Sequence, residues 1–307
     1  MGKAAISRLA AILFLTFLSI HINAQPVLQP GDGSLTPARV RHPLPLPANI
    51  NLPSLFIIGD STVRNGEGTG GGGQWGWGDE MAPLFDTNKI NVVNRALGGT
   101  SSRTYYLTQW PGTLALIKPG DFVIMQFGHN DSSPINDTSR ARGTLRGVGE
   151  ETTNIDNLLT KQPEVVHSFG WYERAMITEA RGRGATPMVC SLIPRNTWKN
   201  GRVARADANY GGWAGEVAEM EKAPFLDIND IIASKYDELG QDKVKDLFIA
   251  GAGPHTSLAG AETNALCVVA ALKGLPKNPL GAYLSPQAAG IAPAEVGQSA
   301  PDKTKAE

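Results

Sequence analysis

Residues 55–62 read Leu55-Phe56-Ile57-Ile58-Gly59-Asp60-Ser61-Thr62. Four consecutive apolar residues, three of them β-branched or aromatic, end on a glycine and three small polar groups. An unbroken apolar run of this length predicts a strand buried on both faces, as in a parallel sheet, where both sides of every strand are covered. Four similar runs follow: Val92-Val93, Phe122-Val123-Ile124-Met125, Met188 to Ile193, and Phe225-Leu226-Asp227-Ile228. Longer stretches between them carry apolar residues at helical spacing, notably 171–183, 212–222 and 258–272. Alternation of short buried strands with amphipathic helices predicts a three-layer α/β/α sandwich on a parallel sheet of about five strands.

In such sheets the working residues collect at the carboxyl ends of the strands. Three polar clusters occupy those places: Gly59 to Thr62, Asn94 to Ser102, and Gly128 to Asp131. Ser61 at a strand end is suited to nucleophilic attack or to capping a helix. Gly98-Gly99 allows a backbone N–H to approach a ligand or simply makes a tight turn. Asn130 can donate its side-chain N–H to a developing oxyanion or close an Asx turn. His255, in Gly251-Ala252-Gly253-Pro254-His255-Thr256-Ser257, is a candidate general base or a structural histidine. Each cluster alone leaves both readings open.

The chain has 307 residues, 41% hydrophobic and 19% charged, with formal net charge −1. Near-neutral charge gives no basis for a nucleic-acid partner or for attraction to an anionic membrane. Lys3 and Arg8 precede an apolar run from Leu9 to Ile22, and Ala24 supplies a small residue for cleavage, so residues 1–24 read as a secretory signal peptide and the protein as secreted or periplasmic. The apolar run falls short of the roughly 20 residues that span a bilayer. Proline recurs through 25–51, which reads as an extended linker, and a Pro- and charge-rich stretch, 281–307, reads as a disordered tail. The folded domain is thus expected over 52–280. Cys190 and Cys267 are too few for a disulfide framework and read as small buried apolar groups. No H-E-x-x-H or comparable spacing marks a metal site. Trp75 and Trp77 are candidates for stacking on sugar rings or for packing against neighbouring structure.

Taken in order, Ser61, Gly99, Asn130 and His255 resemble blocks I, II, III and V of the GDSL/SGNH hydrolases. The resemblance is strongest to the rhamnogalacturonan acetylesterase branch and extends over about residues 52–280. It includes Gly76-Trp77-Gly78-Asp79, Asn94-Arg95-Ala96, Gly170-Trp171-Tyr172 and Ser191-Leu192-Ile193-Pro194-Arg195-Asn196. The resemblance implies a flavodoxin-like fold and a serine esterase that needs no cofactor and removes O-acetyl groups from a cell-wall polysaccharide. Ser61 would be the nucleophile and His255 the base, with an oxyanion hole from the Ser61 N–H, the Gly99 N–H and the Asn130 side chain. The implied partner is an acetylated polysaccharide, with no membrane association after signal cleavage; nothing in the sequence assigns an oligomeric state. One position departs from the pattern. The family places an aspartate three residues before the histidine, where this chain has Ala252. That departure motivates two other readings, a carbohydrate-binding pseudoenzyme and an esterase for lipid or small acyl esters.

Overall fold

The computed structural model describes residues 43–295. In chain order its elements are β1 (Ser54–Gly59), β2 (Asn91–Asn94), α1 (Ser102–Thr108), α2 (Trp110–Leu114), β3 (Phe122–Gln126), β4 (Thr152–Asp156), β5 (Pro163–His167), α3 (Phe169–Gly182), β6 (Thr186–Cys190), β7 (Trp198–Lys199), β8 (Arg202–Val203), α4 (Tyr210–Glu221), β9 (Phe225–Leu226), α5 (Ile228–Leu239), α6 (Gln241–Lys245) and α7 (Leu258–Gly274). Five strands form one parallel sheet in the order β2-β1-β3-β6-β9. β4–β5 and β7–β8 are separate antiparallel hairpins.

The period of two along each strand divides the core. Leu55 and Ile57 of β1, with Ile124 of β3 and Met188 of β6, face α5 and α7 through Ile232, Tyr236, Val268 and Leu272. Phe56 and Ile58, with Val123, Met125 and Val189, face the other way, onto Tyr105, Trp110, Met176, Ile177 and Val217. All four apolar residues of β1 are fully buried. Each such side chain contributes about 1.5–3 kcal/mol through burial. This two-sided burial is why the strand runs read as continuous rather than alternating. The helices follow from local signals. Ser168 caps α3 by accepting from the Trp171 N–H, and Phe169, Tyr172, Met176, Ile177 and Ala180 make its buried stripe. Ser257 caps α7 in the same way, through the Gly260 N–H.

The expected last strand stops at Leu226. Asp227 leaves the sheet to cap α5, so Ile228 opens a helix instead of closing a strand. The outer boundaries also extend past those expected. Leu44 is buried, the Arg95 guanidinium donates to the Pro45 carbonyl at 2.7 Å, and Asn91 and Asn49 bond reciprocally, so 43–51 is fastened to the body. At the other end Ala288 is buried, the Tyr283 ring meets Phe122, and the Ala294 N–H donates to Ala270. Part of the expected tail therefore packs on α7 and β3. The expected signal peptide, 1–24, lies outside the described residues, as do 25–42 and 296–307. Cys190 and Cys267 are free and buried.

In the strand order β2-β1-β3 the chain leaves β1 to one side for β2 and returns to its other side for β3. In open α/β sheets ligands bind at such a switch, here at the carboxyl ends of β1 and β3. The loops after β1, β2 and β3 carry Ser61, Gly99 and Asn130 to that edge.

Candidate active site

Ser61 leaves β1 on a turn made by its predecessor. Asp60 Oδ1 accepts from both the Thr62 N–H and the Thr62 hydroxyl at 2.8 Å, and the Asp60 carbonyl accepts from Val63 and Arg64 N–H. No helix follows; the Asx turn, not a helix start, presents the Ser61 side chain. The turn is braced from below by a buried polar chain. Trp77 Nε1 donates to Gln126 Oε1 at 2.9 Å, and Gln126 Nε2 donates to Thr62 Oγ1 at 2.7 Å. Trp77 is fully buried, so of its two readings the sugar-stacking one fails and the packing one holds: its indole fills the core and its N–H ends this chain. Trp75 is half-buried. Its backbone pairs with Thr256, the residue after His255, and Gly70 lies so close to the ring that a Cβ there would come within 2.4 Å.

The loop after β2 is pinned to the same turn. Leu97 N–H and Thr100 Oγ1 both donate to the Gly59 carbonyl, and a methyl on Gly98 would lie 3.4 Å from Ser61 Cβ. Gly99 has φ 86°, a left-handed conformation that favours glycine. Its carbonyl accepts from Arg142 Nη1 at 2.7 Å. Asn130 Nδ2 gives one hydrogen to the Thr100 carbonyl at 2.8 Å, which ties the third loop to the second. Among the described residues neither the Ser61 nor the Gly99 N–H has an acceptor, and the second Asn130 amide hydrogen has none either. The structure thus gathers three donor groups on adjoining loops at one edge of the sheet.

His255 arrives from the far end of the chain. Its Nε2 lies 2.8 Å from Ser61 Oγ across 194 positions of sequence. For Nε2 to accept from the serine hydroxyl, the ring proton must sit on Nδ1. Nδ1 is buried and has no partner within hydrogen-bonding geometry. The Ala252 carbonyl, which accepts from the His255 backbone N–H, favours the protonated form of the ring. Among the described residues no carboxylate is hydrogen-bonded to the ring. Burial is the leading effect on His255 and depresses its pKa. The Ala252 carbonyl and the negative charge of Asp60 oppose that, and the Arg195 guanidinium adds to it. At neutral pH His255 is therefore unprotonated and able to accept a proton from Ser61.

Burial also raises the surrounding acids, Asp60 to about 6 and Asp131 to about 7; one oxygen of each lacks a partner. Asp131 Oδ1 accepts from the Ser102 N–H and hydroxyl, anchoring the start of α1 beneath the site. Burial pushes His129 down to about 3, so this second nearby imidazole stays neutral. Among the described residues no cluster of three or more His, Cys, Asp or Glu side chains is arranged to hold a metal ion. Sequence reasoning missed the braces: Gln126, Thr62 and the Arg142 contact with Gly99. Gln126 gives no local signal, because it ends a buried strand and its amide bonds only across separations of 49 and 64 residues.

A model of the GDSL-like lipase/acylhydrolase family matches residues 57–262, which include all four candidate residues. The chain is 26% identical over 209 residues to a rhamnogalacturonan acetylesterase of Emericella nidulans, covering 68% of this chain and 80% of that one. It is 27% identical over 230 residues to the Bacillus subtilis protein named probable rhamnogalacturonan acetylesterase YesY, covering 72% and 94%. Among solved structures, the Bacillus subtilis protein YxiM superposes with a TM-score of 0.58 at 24% identity. That match covers 72% of this chain and 56% of the other, and it establishes likeness of fold.

Proposed function

This chain belongs to the GDSL-like lipase/acylhydrolase family and is a carboxylic ester hydrolase, and from that premise we propose that it removes O-acetyl groups from a cell-wall polysaccharide, acetylated rhamnogalacturonan first among them. The observation that carries the chemistry is the 2.8 Å approach of His255 Nε2 to Ser61 Oγ. The rhamnogalacturonan acetylesterases it is similar to support the acetyl group and the polymer.

Ser61 Oγ attacks the acetyl carbonyl while His255 Nε2 takes its proton. The negative charge formed on the carbonyl oxygen is met by the Ser61 and Gly99 N–H groups and by Asn130 Nδ2, donors fixed by the folded backbone before substrate arrives. His255 then gives its proton to the sugar oxygen as its bond to the acetyl carbon breaks, releasing the free sugar hydroxyl and leaving acetyl-Ser61. Water loses a proton to His255, attacks the acetyl carbon, and acetate leaves as Ser61 recovers its proton. No cofactor takes part. Export from the cytoplasm, proposed on the basic and apolar residues 3–24 alone, would bring the protein to such a polymer.

Acetate release from acetylated rhamnogalacturonan by the purified protein tests the reading. Ser61→Ala is expected to abolish release, along with hydrolysis of 4-nitrophenyl acetate. Equal activity in the variant would remove Ser61 from the mechanism. Hydrolysis only of longer aryl esters would move the substrate toward lipids.

A further inference from the structure

The segment Ser191-Leu192-Ile193-Pro194-Arg195-Asn196 has no task in the proposed acyl transfer, yet it runs from the carboxyl end of β6 toward the loop that carries His255. Its backbone is well fastened. Ser191 Oγ donates to Asp227 at 2.8 Å, the Leu192 carbonyl accepts from Asn229 Nδ2 at 2.8 Å, and the Thr197 N–H donates to the Arg195 carbonyl. The Arg195 side chain is exposed and, among the described residues, forms neither an ion pair nor a hydrogen bond. Arg103, Arg174, Arg202 and Arg205 each have a carboxylate partner. Arg195 Nη1 lies 3.7 Å from where a methyl on Gly253 would stand, two residues before His255. Its charge is felt by both His255 and His129.

A cation left without a counter-ion beside the base opposes the reaction, because His255 must itself become a cation in the transition state. A substrate that brings its own anion to Arg195 removes that opposition. We propose that Arg195 is the residue that selects the substrate, binding a carboxylate carried by the polymer chain next to the acetylated sugar. The ligand chemistry is that of an acetylated polyuronide. The guanidinium presents a planar pair of N–H donors that matches a carboxylate. Once the pair forms, His255 is relieved of a repelling charge, so the substrate anion strengthens the base as well as binding. The inference rests on the acetylesterase reading and narrows it.

Acetylated rhamnogalacturonan oligosaccharides with free uronates, the same oligosaccharides with their uronates methyl-esterified, and 4-nitrophenyl acetate make the test. The wild-type protein is expected to favour the free uronate over its methyl ester by roughly tenfold to hundredfold in kcat/KM, the range of a charge-assisted hydrogen bond. Part of that preference should appear in kcat. In Arg195→Gln the ratio should fall to near one, and Arg195→Lys should keep part of it. On 4-nitrophenyl acetate, R195Q should move the acidic limb of the pH profile to higher pH, because one of the groups facing His255 (Asp60, Arg195, His129 and the Ala252 carbonyl) has lost its positive charge. A wild-type ratio of one, or an R195Q variant that keeps the preference, overturns the assignment of Arg195 alone. Hydrolysis of the aryl acetate with no activity on either oligosaccharide overturns the polysaccharide reading with it.

Discussion

Replacing Ala252 with aspartate puts a carboxylate on the residue whose carbonyl already faces the His255 ring. In the native chain the Nδ1 proton has no acceptor in bonding geometry, so nothing but the backbone carbonyl and the neighbouring Asp60 stabilises the imidazolium that forms during attack. In serine proteases disabling the triad acid lowers the rate by roughly 10⁴-fold, and that sets the ceiling for a gain. The local screening sets the working figure. Two charges about 4 Å apart interact by about 1 kcal/mol in water and about 4 kcal/mol near a protein surface. His255 and Ala252 are both half-buried, between these limits, so A252D should raise kcat roughly 10- to 10³-fold. The pH profile supplies an independent sign. Burial holds the His255 pKa below its ordinary value of 6.5, so the base is already free of its proton in mildly acidic solution, and the wild-type acidic limb should lie below pH 6.5. An aspartate at 252 favours the protonated ring and should move that limb to higher pH while kcat rises. Stopped-flow or steady-state hydrolysis of 4-nitrophenyl acetate from pH 4.5 to 8 reads both quantities. If kcat and the limb both stay where they are in a variant that melts normally, the backbone carbonyl already does the work of the missing acid, and His255 is not the under-supported base that its unpartnered Nδ1 implies.

Two further substitutions probe the surroundings. Asn130→Ala removes a donor at the edge where the oxyanion forms and should lower kcat roughly 10²–10³-fold with little change in KM; an unchanged kcat for aryl acetates would strike Asn130 from the donor set. Glu173 is fully buried on α3 with neither oxygen bonded, and burial together with Asp131 raises its pKa well above 4.5. The folded state thus holds a proton that the unfolded chain gives up above pH 4.5, so stability falls as pH rises from there toward the folded pKa, by about 1.4 kcal/mol per unit. Glu173→Gln should remove that slope, and thermal melts from pH 5 to 8 that remain parallel to the wild type would show that Glu173 is ionised in the fold.

What could be read from the sequence and what could not divide along one physical line. The five strands were legible because burial on both faces writes itself as an unbroken apolar run, as in Leu55 to Ile58 and Phe122 to Met125. α3, α4 and α7 were legible because their stripes recur at helical spacing. α1 and α2 were missed: Ser102-Arg103-Thr104 is polar yet buried, its charge answered by Glu164 from the β5 hairpin at 2.7 Å, and Pro111-Gly112 interrupts any pattern in α2. In the site, Ser61 and His255 stood out as residue types at strand and helix ends, and the structure brings their side chains together. Trp77 stayed undecided in the sequence because an aromatic beside a candidate nucleophile suits a sugar or a core equally well by residue type alone. Its partner Gln126 comes into reach only once β3 lies beside β1.

Ala252 and Arg195 are joined by the fold in the same way. The sequence shows an alanine at one position and a cation at another, and nothing in their spacing connects them. In the fold both act on one imidazole. With alanine at 252 the ring has only Asp60 and a carbonyl to favour its protonated form, and Arg195 makes that form costlier, so in the proposed mechanism His255 would be a weak base toward a neutral ester. On the proposed role of Arg195, activity should be lowest on substrates that bring no charge. Its rate should depend on the substrate's own anion, which means that activity on uncharged aryl esters understates the enzyme. It also follows that A252D should accelerate neutral esters more than polyuronides, since the aspartate supplies to every substrate what an anionic substrate already brings. Equal acceleration of both classes would show that the two charges act on His255 independently and that Arg195 binds substrate without assisting the base.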